Sequence, residues 1–241
     1  MAKISTLFVD KGGVLVNNDE LGAQYQRLIA EYLPTVLGGG GARSWGDANV
    51  WAFDRQWARW EAATRVTSGG NIREWFEADA ANWLYDMCEM VRLPRPPVHD
   101  AKRIANDTLR YVRERVGIKV PAIIGRLREL RERGLILHVA SGDAHEDLTE
   151  YLRAIDARDL FDRVYGSDLL KVWKSSAAYY RAILAETGID PATALVVDDS
   201  ERAIGWAAEC GLRGVLVRRA EGEGFEAAVL RAFDDVEAIL A

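Results

Sequence analysis

The segment that spans residues 4–15 constrains the fold of this chain more than any other. Its first six residues are mostly apolar, and their length and branched side chains are typical of a strand that is buried on both faces. The run stops at Asp10, and Gly12 and Gly13 allow the backbone to turn sharply just beyond it. We therefore expect Asp10 to be exposed at the carboxyl end of the strand, where open parallel α/β sheets bind their ligands.

From residue 121 onward, apolar segments of strand length alternate with amphipathic segments of helix length. Such alternation implies right-handed crossovers and a parallel sheet. The spacing of Asp143 and Glu146 is that of a capping box and predicts the start of a helix. The predicted strands are 135–140, 163–166, 194–197 and 215–217, and the predicted helices are 122–133, 143–155, 176–187, 200–210 and 225 onward. The predicted class is a three-layer α/β/α fold around a Rossmann-type parallel sheet.

Residues 20–116 contain no convincing strand and place their apolar and aromatic residues at helical spacing. Prolines separate the helical segments, since proline does not continue a helix interior. The predicted helices are 21–33, which ends before Pro34 and the glycine run 38–41, then 48–64, 72–91 and 98–116. The first strand therefore belongs with the C-terminal half of the chain. We expect a core domain of residues 1–19 and 117–241 and an inserted all-helical domain of residues 20–116.

The composition narrows the class of protein and the compartment. With 49% hydrophobic residues among 241, the chain can bury a full core. A net charge of -6 does not fit the basic surface that nucleic-acid binding requires, so no nucleic-acid partner is expected. No apolar run approaches the ~18 residues of a membrane span, and the N-terminus lacks the pattern of a secretory signal. Cys88 and Cys210 lack metal-binding spacing, and such sparse cysteine usage suits a reducing compartment. We expect a cytoplasmic monomer or homodimer.

Three predicted strands end in short polar side chains, namely Asp10, Ser141, and the pair Asp198 and Asp199. Because the carboxyl ends of parallel strands lie along one edge of a sheet, these residues are expected to converge, with Lys174 among them. The set combines a carboxylate nucleophile, a hydroxyl donor, a cation and paired carboxylates. Oxygen ligands of this kind, together with substrate phosphate, are those that Mg²⁺ prefers. The pattern predicts phosphoryl-transfer chemistry.

Each of these residues, taken singly, also has an ordinary structural explanation. Aspartate near glycine is common in turns, and serine is a common N-cap residue. An isolated lysine usually lies solvated at the surface. Adjacent carboxylates after a buried strand are different, because Asp198 and Asp199 repel each other unless a cation or hydrogen-bond donors compensate. The order and spacing of the whole set carry the functional interpretation.

Four ordered motifs resemble those of the haloacid dehalogenase-like (HAD) hydrolase superfamily, subfamily I, in the variant with paired acids in the fourth motif. The resemblance covers essentially the whole chain, with the helical insert in the position of a type 1 cap. The lysine of the third motif is followed by Ser175, where the family usually has proline. The matching segments are FVDKGGVL at residues 8–15, VAS at 139–141, KSSAAY at 174–179 and VVDDS at 196–200.

The resemblance implies that Asp10 attacks phosphorus and forms an aspartyl-phosphate, while Ser141 hydrogen-bonds the phosphoryl group. Lys174 would neutralise the developing charge and keep Asp10 ionised. Substrate contacts are also expected from Gly142, beside Ser141, and from Arg59 in the insert. The expected partner is a small phosphorylated substrate.

The resemblance also implies a bound Mg²⁺ ion that acts as Lewis acid and template. Its expected ligands are Asp10, Asp199 assisted by Asp198, and the main-chain carbonyl of Gly12. Ala203 stands where relatives often place Asp or Asn to support the metal.

Gly12 is the departure that bears most on activity. Many phosphatases of the superfamily carry an aspartate here that protonates the leaving oxygen and later activates water, and such a group contributes on the order of 10² to 10⁴ in rate. A branch with glycine here and paired acids later includes sugar-1-phosphate phosphatases and the N-terminal domains of epoxide hydrolases. We therefore predict a Mg²⁺-dependent phosphatase of a sugar phosphate or another small metabolite. The alternatives are a 2-haloacid dehalogenase that uses the same Asp10, and a non-catalytic metabolite-binding protein.

Overall fold

The computed structural model describes residues 2–39, 41–65, 71–116 and 120–241. Residues 1–18 and 118–241 form one compact unit, which we call the α/β unit, and residues 19–117 form a second, the helical unit. The boundaries expected from the sequence lie within one residue of this division. Gly40, in the expected glycine loop, lies outside the described residues.

A five-stranded sheet forms the centre of the α/β unit. Its strands are β1 (Thr6–Val9), β2 (Ile136–Ala140), β3 (Arg163–Tyr165), β4 (Ala194–Asp198) and β5 (Arg213–Leu216). Neighbouring strands pair in parallel, in the order β3-β2-β1-β4-β5. Leu7 and Phe8 of β1 point to opposite faces of the sheet and both are fully buried. Burial on both faces is typical of parallel sheets covered by helices, and the predicted Rossmann-type α/β fold is confirmed.

The described part of the helical unit is built from four helices, in agreement with the helical spacing of its apolar residues. They are α1 (Asn18–Leu37), α2 (Ala42–Arg65), α3 (Ile72–Met90) and α4 (Val98–Arg113). The prediction that α1 ends before Pro34 is wrong, because this proline lies inside the helix. Proline removes the hydrogen bond of its own N–H, but its carbonyl can still accept one. The Gly38 N–H donates to the Pro34 carbonyl at 3.0 Å, so the helical bonding extends past the proline. The structure also starts α2 at Ala42 rather than at residue 48.

The helices of the α/β unit fall between and after its strands, within a few residues of their predicted bounds. They are α5 (Pro121–Glu132), α6 (His145–Ala154), α7 (Ser167–Leu170), α8 (Ala177–Thr187), α9 (Glu201–Glu209) and α10 (Phe225–Leu240). The sequence did not predict α7, which at four residues is too short to show a helical period. In the part of the chain that the structure describes, no helix is long and apolar enough to cross a membrane.

Helix α8 fixes the carboxyl ends of β2 and β3. Tyr179 in its first turn is fully buried, and its hydroxyl lies 3.0 Å from the carbonyl oxygen of Ser141 and 2.9 Å from that of Tyr165. The N–H of Ser141 donates to the same Tyr165 carbonyl at 3.0 Å. These bonds hold the segment after β2 against β3, at the edge where polar residues were expected to converge.

His138 of β2 is buried among aromatic rings, with ring centroids 5.2 Å from that of Phe8 and 5.8 Å from that of Tyr165. Burial lowers the pKa of His138 below its ordinary 6.5, and the charge of Arg163 lowers it further. The charge of Asp162 raises this pKa, but by less than burial lowers it. Its Nδ1 atom is buried without a hydrogen-bond partner among the residues described. The folded protein therefore favours the neutral imidazole.

We expect the His138→Leu variant to lose less of its free energy of unfolding than the wild-type protein when the pH is lowered. A histidine whose pKa is depressed by folding contributes fully above its unfolded pKa of about 6.5, and this contribution is lost as the pH falls. The wild-type free energy of unfolding should therefore fall more steeply than that of the variant below this pH. Urea denaturation over a pH series measures both, and parallel curves would contradict the prediction.

Gly166 follows β3 and packs against the turn after β2. A Cβ atom on Gly166 would lie 2.5 Å from the nitrogen of His145 and 2.7 Å from the carbonyl oxygen of Asp143. Both are backbone atoms, so we expect Gly166→Ala to lower the free energy of unfolding by about 2 kcal/mol or more. Gly125→Ala, in α5, meets no atom within 4 Å outside its own helix and should stabilise the protein by about 0.5 to 1 kcal/mol. Urea denaturation measures both variants, and equal stabilities would contradict this packing.

Candidate active site

Asp10 and Lys174 form the centre of a buried polar cluster at the carboxyl edge of the sheet. Asp10 follows β1 directly, and its N–H donates to the carbonyl of Val197 on β4 at 3.0 Å. Lys174 Nζ donates to Asp10 Oδ1 at 2.8 Å and to Asp198 Oδ2 at 2.7 Å. Its third bond, also 2.8 Å, goes to the carbonyl of Ala140 at the end of β2. All three ammonium hydrogens therefore have acceptors, at the ends of three neighbouring strands.

The prediction that Asp10 is exposed is wrong, since only 8% of the residue is accessible. A carboxylate can be buried here because Lys174 is bonded to it. Burial, opposed by Lys174 and reinforced by Asp198 and Asp199, raises the pKa of Asp10 to about 7. Burial alone would lower the pKa of Lys174, but Asp10 and Asp198 raise it well above its ordinary value. The lysine therefore stays charged.

The two adjacent acids have different environments. Asp198 ends β4 and is fully buried, and its Oδ1 accepts a 2.8 Å bond from the Ser200 N–H. Asp199 is exposed. Burial of part of its side chain and the neighbouring Asp198 raise the pKa of Asp199. Asp198 is thus held by Lys174 and the start of α9, while Asp199 faces outward.

Gly13 brings the loop after Asp10 close to the acid pair. Its φ of +67° lies in the left-handed region that favours glycine. A Cβ atom on Gly13 would overlap the carboxylate of Asp199, so a larger residue would displace that side chain. Asp10, Asp198 and Asp199 each offer a carboxylate oxygen, and these three atoms lie within 4.8 Å of one another. Such a donor set is suited to a hard divalent cation.

Ser141 lies in the turn after β2 and is part of a second polar group. Its Oγ donates to Asp143 Oδ2 at 3.2 Å, and Lys11 Nζ lies 2.7 Å from the same oxygen. The Asp143 side chain is 42% exposed. Partial burial raises its pKa, but the charge and hydrogen bond of Lys11 lower that pKa below its ordinary value. The predicted substrate contact Gly142 lies between the two residues, half-buried. The sequence analysis missed this ion pair, although opposite charges at the ends of two strands were an available signal.

The predicted capping box at Asp143 and Glu146 is wrong. Helix α6 begins at His145. Its N-cap residue is Ala144, whose side chain makes no capping hydrogen bond. Instead, the His145 N–H donates to Asp168 Oδ1 at 2.7 Å. The Asp143 carboxylate is bonded to Lys11 and is not available to cap the helix.

Gly12 lies next to Asn18, the first residue of α1. A Cβ atom on Gly12 would lie 3.3 Å from Asn18 Oδ1 and 3.4 Å from its Nδ2. A carboxamide forms hydrogen bonds but has no proton to transfer near neutral pH. Asn18 therefore does not supply the acid–base group that Gly12 lacks.

Arg59, the remaining predicted substrate contact, lies on α2 in the helical unit. Its Nε donates to Asp79 Oδ1 at 2.5 Å and its Nη1 to Asp86 Oδ2 at 2.6 Å, and both carboxylates are buried. Gln56 also donates to Asp79, at 2.7 Å, and Arg55 lies 3.0 Å from Asp86. Arg59 thus joins α2 to α3, and its contact with a substrate stays a prediction from the sequence.

We expect Lys174→Met to destabilise the α/β unit. Removing this ammonium leaves the buried carboxylates of Asp10 and Asp198 without their cation, and breaking a buried ion pair costs about 3 to 5 kcal/mol. Lys171→Met is a matched control, because Lys171 is exposed and its loss should change stability by less than about 0.5 kcal/mol. Urea denaturation in the presence of a chelator provides the measurement. Equal stabilities of the two variants would show that Lys174 does not hold the cluster together.

A family model described as haloacid dehalogenase-like hydrolase matches residues 4–211. Among similar solved structures, an L-2-haloacid dehalogenase from Xanthobacter autotrophicus with chloropropionic acid covalently bound is 17% identical, with 99% of this chain and 84% of that chain covered and a TM-score of 0.59. A putative β-phosphoglucomutase from Thermotoga maritima is 19% identical, with coverages of 95% and 91% and a TM-score of 0.63. The putative HAD-hydrolase YfnB from Bacillus subtilis, bound to magnesium, is 14% identical, with coverages of 90% and 87% and a TM-score of 0.63.

At these identities, the structural similarities show a shared fold. A comparison with curated proteins found no match. The family model, in contrast, spans both the strand-end carboxylates and the helical unit, since it covers residues 4–211 of 241. The chain therefore belongs to the haloacid dehalogenase-like hydrolase family.

Proposed function

We propose that this protein is a Mg²⁺-dependent phosphatase of small phosphorylated metabolites, acting through an aspartyl-phosphate on Asp10. The observation that carries the proposal is the clustering of three carboxylate oxygens, from Asp10, Asp198 and Asp199, within 4.8 Å of one another. Lys174 supplies one positive charge to this cluster, so negative charge is left uncompensated when all three acids are ionised. A hard divalent cation is the compensating group that this donor set favours.

Asp10 is the proposed nucleophile. One of its carboxylate oxygens attacks phosphorus, and the bond from phosphorus to the ester oxygen breaks, with its electron pair leaving on that oxygen. The leaving oxygen takes a proton from water. A second water, which gives a proton to the hydroxide left by the first, then attacks phosphorus. The bond from phosphorus to Asp10 breaks with its electron pair returning to the carboxylate, and inorganic phosphate is released. Lys174, 2.8 Å from Asp10, orients the carboxylate and balances the negative charge that develops.

Asp10, Asp198 and Asp199 would hold the Mg²⁺ ion, with the carbonyl of Gly12 as the further ligand implied by the family motif. When bound, the ion supplies Lewis-acid stabilisation of phosphoryl oxygens. The similar Bacillus subtilis protein was solved bound to magnesium, which supports this part of the proposal. Ser141 would donate its hydroxyl hydrogen to a phosphoryl oxygen.

The substrate class follows from Gly12. Neither this glycine nor Asn18 beside it can protonate the leaving oxygen, so the enzyme needs a substrate whose leaving group departs with little help from an acid. Sugar phosphates esterified at the anomeric carbon meet that requirement. Similarity to a putative β-phosphoglucomutase supports a sugar phosphate as the first substrate to test.

A 2-haloacid dehalogenase is the second candidate, and the similarity to a solved L-2-haloacid dehalogenase favours it. In that reaction Asp10 would attack carbon instead of phosphorus and displace a halide ion. That chemistry needs no metal, so it does not explain why Asp198 and Asp199 cluster with Asp10. For this reason the phosphatase is our first proposal.

We expect Asp10→Asn to abolish phosphate release from a panel of sugar phosphates and nucleotides. Loss of a nucleophile lowers the rate by at least on the order of a thousandfold. Removal of Mg²⁺ with a chelator should stop the wild-type reaction as well. Asp159→Asn is the matched control, because Asp159 is an exposed acid of the same unit and its loss should leave the rate unchanged.

The same proteins separate the alternatives. Metal-independent halide release from 2-chloropropionate, lost in Asp10→Asn, would replace the phosphatase by a dehalogenase. Metabolite binding without turnover, unchanged by Asp10→Asn, would indicate a binding protein. Phosphate release that persists in Asp10→Asn would exclude the aspartyl-phosphate.

A further inference from the structure

Lys11, Asp143 and Ser141 form a chain of polar contacts beside the proposed nucleophile. Lys11 follows Asp10 in the sequence, and its Nζ lies 2.7 Å from Asp143 Oδ2. Ser141 Oγ donates to the same oxygen at 3.2 Å. Since β1 and β2 are paired in the sheet, the contacts join the ends of two adjacent strands.

Backbone contacts hold Asp143 in this arrangement. Its carbonyl accepts a 3.1 Å bond from the Ser167 N–H, and Gly166 packs so closely that an added Cβ would lie 2.7 Å from that carbonyl oxygen. The Lys11 ammonium lies 5.7 Å from the centroid of the Tyr151 ring, a cation–π distance. The Lys11 side chain is only 17% exposed. Its ammonium is therefore directed to Asp143 rather than to bulk water.

This arrangement sets two demands on one hydrogen of Ser141. A hydroxyl has a single hydrogen, and here Ser141 donates it to Asp143. Binding a phosphoryl oxygen requires that the same hydrogen be donated to the substrate. An uncompensated Asp143 carboxylate would also repel the incoming phosphoryl group. Both difficulties disappear when a second donor satisfies Asp143, and Lys11 is already bonded to the same oxygen.

We propose that Lys11 is a positioning residue, which by holding the Asp143 carboxylate releases the Ser141 hydroxyl hydrogen to a phosphoryl oxygen of the substrate. The inference rests on the phosphatase activity proposed above. Lys11 acts through Asp143 and Ser141 and does not touch the substrate. The shorter of the two contacts to Asp143 Oδ2 is that of Lys11, so the carboxylate keeps its stronger partner when the hydroxyl turns away.

The first test is steady-state kinetics of Lys11→Met, Asp143→Asn and the double variant, with the metabolite that the wild-type protein hydrolyses. We expect Lys11→Met to lower kcat/KM by about tenfold to a hundredfold, the range for one charge-assisted hydrogen bond. The double variant should recover most of this loss, because it no longer carries the uncompensated Asp143 charge. Lys11→Arg keeps the ion pair and should stay within about threefold of the wild-type value.

The same Lys11→Met change in a Ser141→Ala background distinguishes the proposed role of Lys11 from a purely structural one. A structural role would give the same loss of kcat/KM with and without the Ser141 hydroxyl. If Lys11 acts through the Ser141 hydroxyl, the loss of kcat/KM caused by Lys11→Met should be at least about threefold smaller in that background, where only the repulsion by Asp143 remains. A full loss in both backgrounds would overturn the inference, and so would a double variant that is no better than Lys11→Met. Thermal unfolding of each variant checks folding, and Lys11→Gln replaces Lys11→Met if the latter does not fold.

Failure of this inference differs measurably from failure of the proposed function. If the wild-type protein hydrolyses no phosphorylated metabolite, the function and the inference fail together. If it hydrolyses one and Asp10→Asn abolishes the reaction, the function stands. In that case, an effect of Lys11→Met that is absent, or independent of Ser141, overturns the inference alone.

Discussion

The sheet and the candidate site of the α/β unit depend on one interaction, the insertion of the Lys174 ammonium between Asp10 and Asp198. Burying a lysine is costly unless each of its hydrogens is bonded. Here the acceptors come from the ends of β1, β2 and β4, because Ala140 supplies the third. The strand order places these three strands side by side. A one-residue shift in the register of β4 would turn Asp198 to the opposite face, so the topology and the site are specified together.

The electrostatics of the cluster follow from the burial that the sheet imposes. Asp10 and Asp198 are almost inaccessible to water, and only Asp199 of the three acids is exposed. Two of the acids share one lysine, and the pKa of Asp10 is raised to about 7 by burial and by its acidic neighbours, against the effect of Lys174. The unit thus concentrates negative charge where the fold excludes solvent. This concentration of negative charge destabilises the folded protein, and it favours the binding of a cation at the site.

The sequence predicted the parallel sheet and the residues at its edge because both depend on local patterns, namely apolar runs of strand length and the polar residues that end them. It failed where the outcome depends on partners distant in the chain. Asp10 is buried because Lys174, 164 positions later, covers it. Asp143 does not cap α6 because Lys11, in the loop after β1, binds its carboxylate. Pro34 was expected to end α1, but the helix continues for three residues beyond it, to Leu37.

Two successive glycines in the loop after Asp10 are each restricted by a neighbouring side chain. Gly13 needs a positive φ and leaves no room for a Cβ beside Asp199, and at Gly12 the corresponding space lies against the Asn18 carboxamide. An aspartate at position 12 would require the Asn18 side chain to shift by a few tenths of an ångström and would add a carboxylate to a region that already holds three. The absence of the acid–base group is therefore coupled to its surroundings. An acid–base group introduced at position 12 would therefore interact with Asn18 and with the acid cluster, so its effect on the rate is not independent of either.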